Sequence, residues 1–168
     1  ILVSPPFGEK IDAKLASYTL GQKVGSRSET ALTLLALNHL AHFGRAAILV
    51  PSGILFSNSE GELTLRTRLV EETTLEAVIA LPKDAFQPYS SLQTNLLLFS
   101  KRRPDILHTV WFFQLEQDGY PSGRGRDLTV DPPQASDIPF AKWVLLDALD
   151  LPELYLSATD NLKIGIKK

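Results

Sequence analysis

Glu29–Val50 reads ETALTLLALNHLAHFGRAAILV. Leu32, Leu35, Ala36, Leu40 and Phe43 recur there at steps of three and four, so the spacing predicts a helix from about Glu29 to Phe43. Ser26-x-x-Glu29 has the form of a capping box, and Gly44 stands where a helix commonly stops. Ala46–Val50 is then a short unbroken apolar run, the pattern of a strand covered on both faces. A helix passing straight into such a strand is half of the repeating unit of an α/β fold.

The same alternation extends outward in both directions. Ahead of the helix, Ile1–Val3 reads as the end of a buried strand that runs into Ser4-Pro5-Pro6-Phe7. Residues 8–27 show no sustained period and read as a long loop, of the kind that is usually functional. Beyond Val50, Pro51-Ser52-Gly53 turns the chain, and a second helix is expected from Glu60 or Glu62 to Glu71, marked by Leu63, Arg66, Leu69 and Val70. Leu75–Leu81, Leu96–Phe99 and Thr109–Leu115 complete the strands. This order predicts a mostly parallel sheet with right-handed crossovers. The short Pro82–Gln93 connection favours a hairpin, and with it an antiparallel edge for the fourth strand. After Gln117 the chain is richer in Gly, Pro and Asp, and its tail joins an apolar patch at Trp143–Leu149 to a basic end.

Composition narrows the class further. The chain has 168 residues, enough for one domain with a substantial core. Apolar residues make up 44% and charged ones 21%, ordinary globular values. A net charge of −2 gives no overall pull toward nucleic acid or membrane, so any nucleic-acid contact must rest on local basic groups. There is no Cys, which excludes disulfides and thiolate metal sites and fits a reducing, cytoplasmic setting. No apolar run approaches membrane-spanning length. There is also no Met, even at position 1, as expected of a piece of something longer.

Parallel sheets place their chemistry just past the carboxyl ends of the strands, and Ser4–Phe7 occupies that position. Each proline fixes φ and removes an N–H donor, so this backbone offers carbonyls on a rigid arc. Ser4 adds a hydroxyl and Phe7 a flat ring. Together they suit a planar group bearing an exocyclic amine, and a nucleobase extruded from its duplex is one such group. A plain rigid turn with Phe7 in the core is the commoner outcome for so short a match, and stays open on these residues alone.

The series downstream bears on that choice. FGRAAILVPSGILF (Phe43–Phe56), RTRLVEETTLEAVIALPKDAF (Arg66–Phe86), SLQTNLLLFSK (Ser91–Lys101) and VWFFQLEQDGY (Val110–Tyr120) follow the Pro-Pro motif in order. Over about residues 1–140 this resembles the N-6 adenine-specific DNA methyltransferases, specifically the modification subunit of type I restriction systems. The resemblance implies the carboxyl-terminal half of a Rossmann-like, S-adenosylmethionine-dependent catalytic domain. It assigns residues 1–104 to that half and 105–168 to an extra strand, loop and tail continuing the same domain. Ser4, Pro5, Pro6 and Phe7 become the catalytic motif. Pro5 and Pro51 are the residues nearest to a cofactor role, and most of the S-adenosylmethionine site is expected upstream, because a strand followed by a glycine-rich loop is absent here. The segment alone is therefore expected to be inactive.

The resemblance also implies partners: DNA, a specificity subunit that reads it, and a restriction subunit. Lys23, Arg27, Arg124 and Arg126 are the candidate DNA contacts. Two departures keep alternatives open. Ser4 stands where the adenine-specific members carry Asn or Asp, and a serine before Pro-Pro is more typical of enzymes that methylate the amine of cytosine. A hydroxyl also cannot reproduce the planar geometry of a carboxamide. A non-catalytic remnant, acting as a DNA-binding or assembly module, would carry the same departure.

Other groups are weaker. His39 and His42 lie three apart but lack Cys or acidic partners at a helpful offset, so no metal site is expected; His108 is isolated. Lys101-Arg102-Arg103 and Lys163 with Lys167-Lys168 read as solvated surface as readily as phosphate contacts. Thr94 and Asn95 are expected to serve packing or pairing. An exposed edge on the first strand would invite self-association.

Overall fold

The computed structural model describes residues 1–103, 108–121 and 136–141. Its strands are β1 (Leu2–Val3), β2 (Arg45–Pro51), β3 (Thr74–Ala80), β4 (Thr94–Ser100) and β5 (Trp111–Gln114), in the spatial order β1-β2-β4-β3-β5. β1 and β2 pair in parallel, as do β3 and β5, while β4 runs against both its neighbours. Four of the five strands thus share one direction, and the fold is the expected α/β type. The β3–β4 hairpin forms, but β4 is not at an edge. It is inserted between β2 and β3, and its apolar residues meet partners on both sides, Leu97 opposite Ile48 and Val78 alike. The edge belongs instead to β1 and β5.

The helices are α1 (Ala13–Leu20), α2 (Ser28–His39), α3 (Gly53–Phe56) and α4 (Glu60–Glu72). α1 overturns the expected long loop. Asp12 caps its start, accepting from the amides of Lys14 and Leu15, and Gly21 ends it at φ 64°, a left-handed position that costs glycine little. The helix is short and buries no residue, so the sequence showed no sustained period.

α2 exists as expected but with different ends and a different buried face. Its N-cap is Arg27, without a side-chain cap bond, so the Ser26–Glu29 capping box does not form. The Ser26 carbonyl accepts instead from the Ile11 amide at 2.9 Å. The helix stops at His39 because Leu40 turns extended and is buried, while Lys101 Nζ donates to the freed carbonyl of Leu37 at 2.8 Å. Phe43, not Gly44, takes the left-handed conformation. Leu34, Leu37 and Leu40 carry the buried stripe, whereas Leu35 and Phe43 are exposed. α4 matches expectation in length, yet Leu65 and Leu69 face inward and Leu63 and Val70 outward.

One core layer joins these helices to the sheet: Leu34, Leu37, Ile54, Leu65 and Leu69 against Ile48, Val50, Val78, Leu97 and Phe99. Gly61 lets α4 approach closely, since a Cβ there would lie 2.0 Å from the Val24 carbonyl oxygen. A smaller cluster on the opposite face packs Ala141, from a helical turn at 138–141, on Ala77, Ile79 and Leu115. β1 is not the buried strand expected: Leu2 is 84% exposed, and β1 lies at the edge of the sheet, paired only with β2. The 104–107, 122–135 and 142–168 stretches, with the loop and tail expected there, lie outside the described residues.

Candidate functional site

Because β1 and β2 are parallel neighbours, Ser4–Phe7 and Pro51–Ser52 leave the sheet at the same end. β4 begins there, bringing Thr94 and Asn95 alongside, and the 81–93 connection closes over that end. The prolines prevent the chain from continuing the β1 ladder, since neither can donate an N–H. Pro5 is buried, Ser4 and Pro6 are exposed, and Phe7 is half-buried. The ring of Phe7 is therefore not sealed in the core. It lies edge-on to Phe86, with centroids 6.0 Å apart and planes at 90°. Phe86 stands at the end of the LPKDAF stretch, so the signal for it was present in the sequence without a role attached.

The elbow is anchored from α2. Ser28 Oγ donates to the Pro6 carbonyl at 2.9 Å, and the Ser28 amide donates to the Glu9 carbonyl at 3.0 Å. Of the two proline carbonyls, that of Pro6 is thus already engaged. No local sequence signal connects positions 6 and 28; the fold alone brings them together.

The neighbouring turn is closed by its own bonds. Ser52 donates from both its amide and its hydroxyl to the Gln93 carbonyl, at 2.9 and 3.1 Å, and Asn95 Nδ2 donates to Ser52 Oγ at 2.9 Å. Asn95 thus pairs, as expected, and locks β4 to the end of β2. The Thr94 hydroxyl is buried with no partner. Pro51 ends β2 opposite Thr94 and is buried, so like Pro5 it presents no polar side chain to a cofactor.

Of the basic candidates, Lys23 pairs with Glu60, and Arg27 Nε lies 3.4 Å from a carboxylate oxygen of Glu62. Both side chains stay open to solvent, at 72% and 48% exposure, so each can still meet a phosphate. Arg124 and Arg126 lie outside the described residues. His39 contacts the Leu35 carbonyl, His42 the Phe43 ring and His108 the Leu75 carbonyl. Among the described residues no three potential ligands gather to hold a metal ion, and no helix is long and apolar enough to cross a membrane.

The family model described as N-6 DNA Methylase matches residues 1–135. The methylase subunit of the type I restriction enzyme EcoEI of Escherichia coli is 32% identical over 124 residues, covering 73% of this chain and 24% of the relative. The chain thus spans about a quarter of that relative's length. A type I restriction-modification methyltransferase subunit from Streptococcus thermophilus is 25% identical with a TM-score of 0.61, over 77% of this chain and 28% of that one. A modification subunit of a putative type I restriction enzyme from Vibrio vulnificus shares the fold, with a TM-score of 0.64 at 24% identity, over 90% of this chain and 31% of that one. With the family model covering most of its length and the Pro-Pro elbow standing at the carboxyl end of a parallel strand, this chain belongs to the N-6 DNA methylase family.

Proposed function

We infer that this chain supplies the acceptor-base side of a DNA adenine methyltransferase working within a type I restriction-modification system. One observation carries the reading: a donor-poor Ser-Pro-Pro-Phe elbow past the end of β1, with Ser4 and Pro6 exposed, whose half-buried Phe7 ring meets Phe86 edge-on. S-adenosylmethionine supplies the methyl group, held mainly by residues of the longer polypeptide outside this segment.

This chain's own residues act on the acceptor. With the Pro6 carbonyl occupied by Ser28, the Ser4 hydroxyl and the Pro5 carbonyl are the acceptors assigned to an exocyclic amine. Accepting from the amine N–H groups orients the nitrogen lone pair out of the base plane, toward the methyl donor. Phe7 offers a ring face against which an extruded base stacks. No covalent enzyme intermediate is needed, so the rate comes chiefly from holding the amine in line. DNA, a specificity subunit and a restriction subunit are the partners, with Lys23 and Arg27 meeting the DNA backbone near the elbow. The 168 residues alone are expected to be inactive.

The test is transfer of labelled methyl groups to DNA by the full-length polypeptide that carries this segment, followed by nucleoside analysis. Label on adenine N6, lost in Phe7→Ala and absent with the segment alone, is the expected result. Label on the cytosine amine would shift the reading to the alternative that Ser4 suggests. No transfer under cofactor saturation would favour the non-catalytic module.

A further inference from the structure

Ser28 is a poor candidate for an ordinary helix cap. It is the first residue of α2, Arg27 holds the N-cap position, and the cap makes no side-chain bond. The Ser28 hydroxyl is instead turned toward the chain that leaves β1. It donates to the Pro6 carbonyl at 2.9 Å, while its amide reaches the Glu9 carbonyl at 3.0 Å. One buried residue, 22 positions downstream of Pro6, therefore grips the elbow on both sides of Phe7.

The consequence follows from what proline leaves free. The ring fixes φ of Pro6 but not ψ, and ψ of Pro6 sets the direction in which Phe7 departs. A hydrogen bond to the Pro6 carbonyl fixes that remaining torsion. The same bond withdraws the carbonyl from the acceptor set, leaving Ser4 and Pro5 to meet the amine. A second acceptor competes for the single hydroxyl proton: Glu29 Oε2, in a side chain that is almost wholly buried, lies 3.2 Å from Ser28 Oγ. A carboxylate there cannot return a proton, whereas a carboxamide can donate to Ser28 Oγ and leave the hydroxyl proton wholly to Pro6.

We propose that Ser28 is the positioning residue of the proline elbow, setting the orientation of Phe7 through the Pro6 carbonyl, and that Glu29 modulates that bond by competing for the Ser28 proton. This rests on the methyltransferase reading above. It goes beyond it by naming a group that touches neither base nor cofactor yet controls turnover.

The test compares Ser28→Ala, Ser28→Thr, Ser28→Val and Glu29→Gln in the full-length polypeptide, together with hydrogen exchange on the 168-residue chain. Thr keeps the hydroxyl and Val, of the same shape, lacks it, so this pair isolates the bond even should Ala fold poorly. Ala and Val are expected to lower kcat roughly tenfold with the KM for DNA nearly unchanged, since the loss is one of alignment. Thr should restore most of the rate, and Glu29→Gln should leave kcat equal or raised. In the shorter chain, amides of Phe7–Lys10 should exchange faster in the Val variant while those of β2 stay as before. An active parent whose kcat is the same in the Thr and Val variants would overturn the role of Ser28 and leave the methyltransferase reading standing. An inactive wild-type parent would remove both, whatever exchange shows. Loss spread equally over β2 amides would reduce Ser28 to a folding contact and also overturn the proposal.

Discussion

Two proline turns leave adjacent parallel strands at the same end of the sheet, and they end in opposite ways. After β2, a single proline followed by Ser52-Gly53 lets the chain wind at once into α3, and Ile54 becomes fully buried. That turn is closed by its neighbours Gln93 and Asn95. After β1, two prolines in series keep the chain extended, because a residue preceding proline is pushed out of the helical region. Ser4 and Pro6 remain exposed and Phe7 only half-buried. The second turn is a wall of the core. The first is a platform, held from a distance by Ser28. Pro5 is buried as Pro51 is, so what sets the first turn apart is the exposure of Ser4 and Pro6 beside it.

The contrast can be broken most strongly at its buried side. Ile54→Ala is expected to destabilise the chain by about 2–5 kcal/mol, as removal of a wholly enclosed aliphatic side chain does. Urea denaturation followed by circular dichroism measures it, and a loss below about 1 kcal/mol would mean that the second turn is no more committed to the core than the first. At the platform the sign of the effect divides. Phe7→Ala should weaken the hold on an extruded base by about 1–3 kcal/mol, the worth of one stacked ring. A fluorescent purine at the target position of a DNA duplex reads this in the full-length polypeptide, while the urea midpoint of the chain moves little.

Smaller effects sharpen the picture. Asn95→Ala removes the donor to Ser52 Oγ and should cost about 0.5–1.5 kcal/mol in the same denaturation experiment, since the Ser52 bond to Gln93 survives. The smallest effect lies outside both turns. On α4 the Arg68 guanidinium hydrogen-bonds Glu72 and holds its carboxyl below the ordinary value of 4.5, with burial opposing and the charges of Arg68 and Lys101 adding to the lowering. A depressed carboxyl contributes stability that is present above its unfolded pKa and is lost as pH falls through the lower folded value. Glu72 is 46% exposed, so solvent screening holds the contribution to less than about 1 kcal/mol. Glu72→Gln should therefore be slightly less stable than wild type near neutral pH, the difference closing in acid. A difference that grew on acidification would reverse the assigned sign.

Much of the architecture was legible because periodicity reports burial. The run Ala46–Val50 read as a strand and is one, though only Ala46, Ile48 and Val50 are buried while Ala47 and Leu49 on its other face are half-buried, and α4 lies within a residue or so of its expected span. What misled was local chemistry that the tertiary structure put to other use. The Ser26–Glu29 pattern matched a cap, but the Ser26 carbonyl is taken by Ile11. Gly44 matched a helix stop, but Lys101, from β4's far end, stops α2 earlier by satisfying the Leu37 carbonyl. At the site, the Ser4–Phe7 elbow was visible as a motif. Its aromatic neighbour Phe86 was visible only as a letter in a longer motif, and Ser28 was not visible at all.

Residue order and short-range φ restrictions were enough for the strands, for α2 and α4, for the strand-end position of the Pro-Pro motif and for the family, whereas the short α1, which buries no residue, left no period to read. Tertiary structure alone decided that β4 enters the sheet between β2 and β3, that Phe86 meets Phe7, and that Ser28 holds Pro6. Those outcomes hinge on pairings between residues tens of positions apart, whose free energy comes from shared burial and hydrogen bonds that no local window contains.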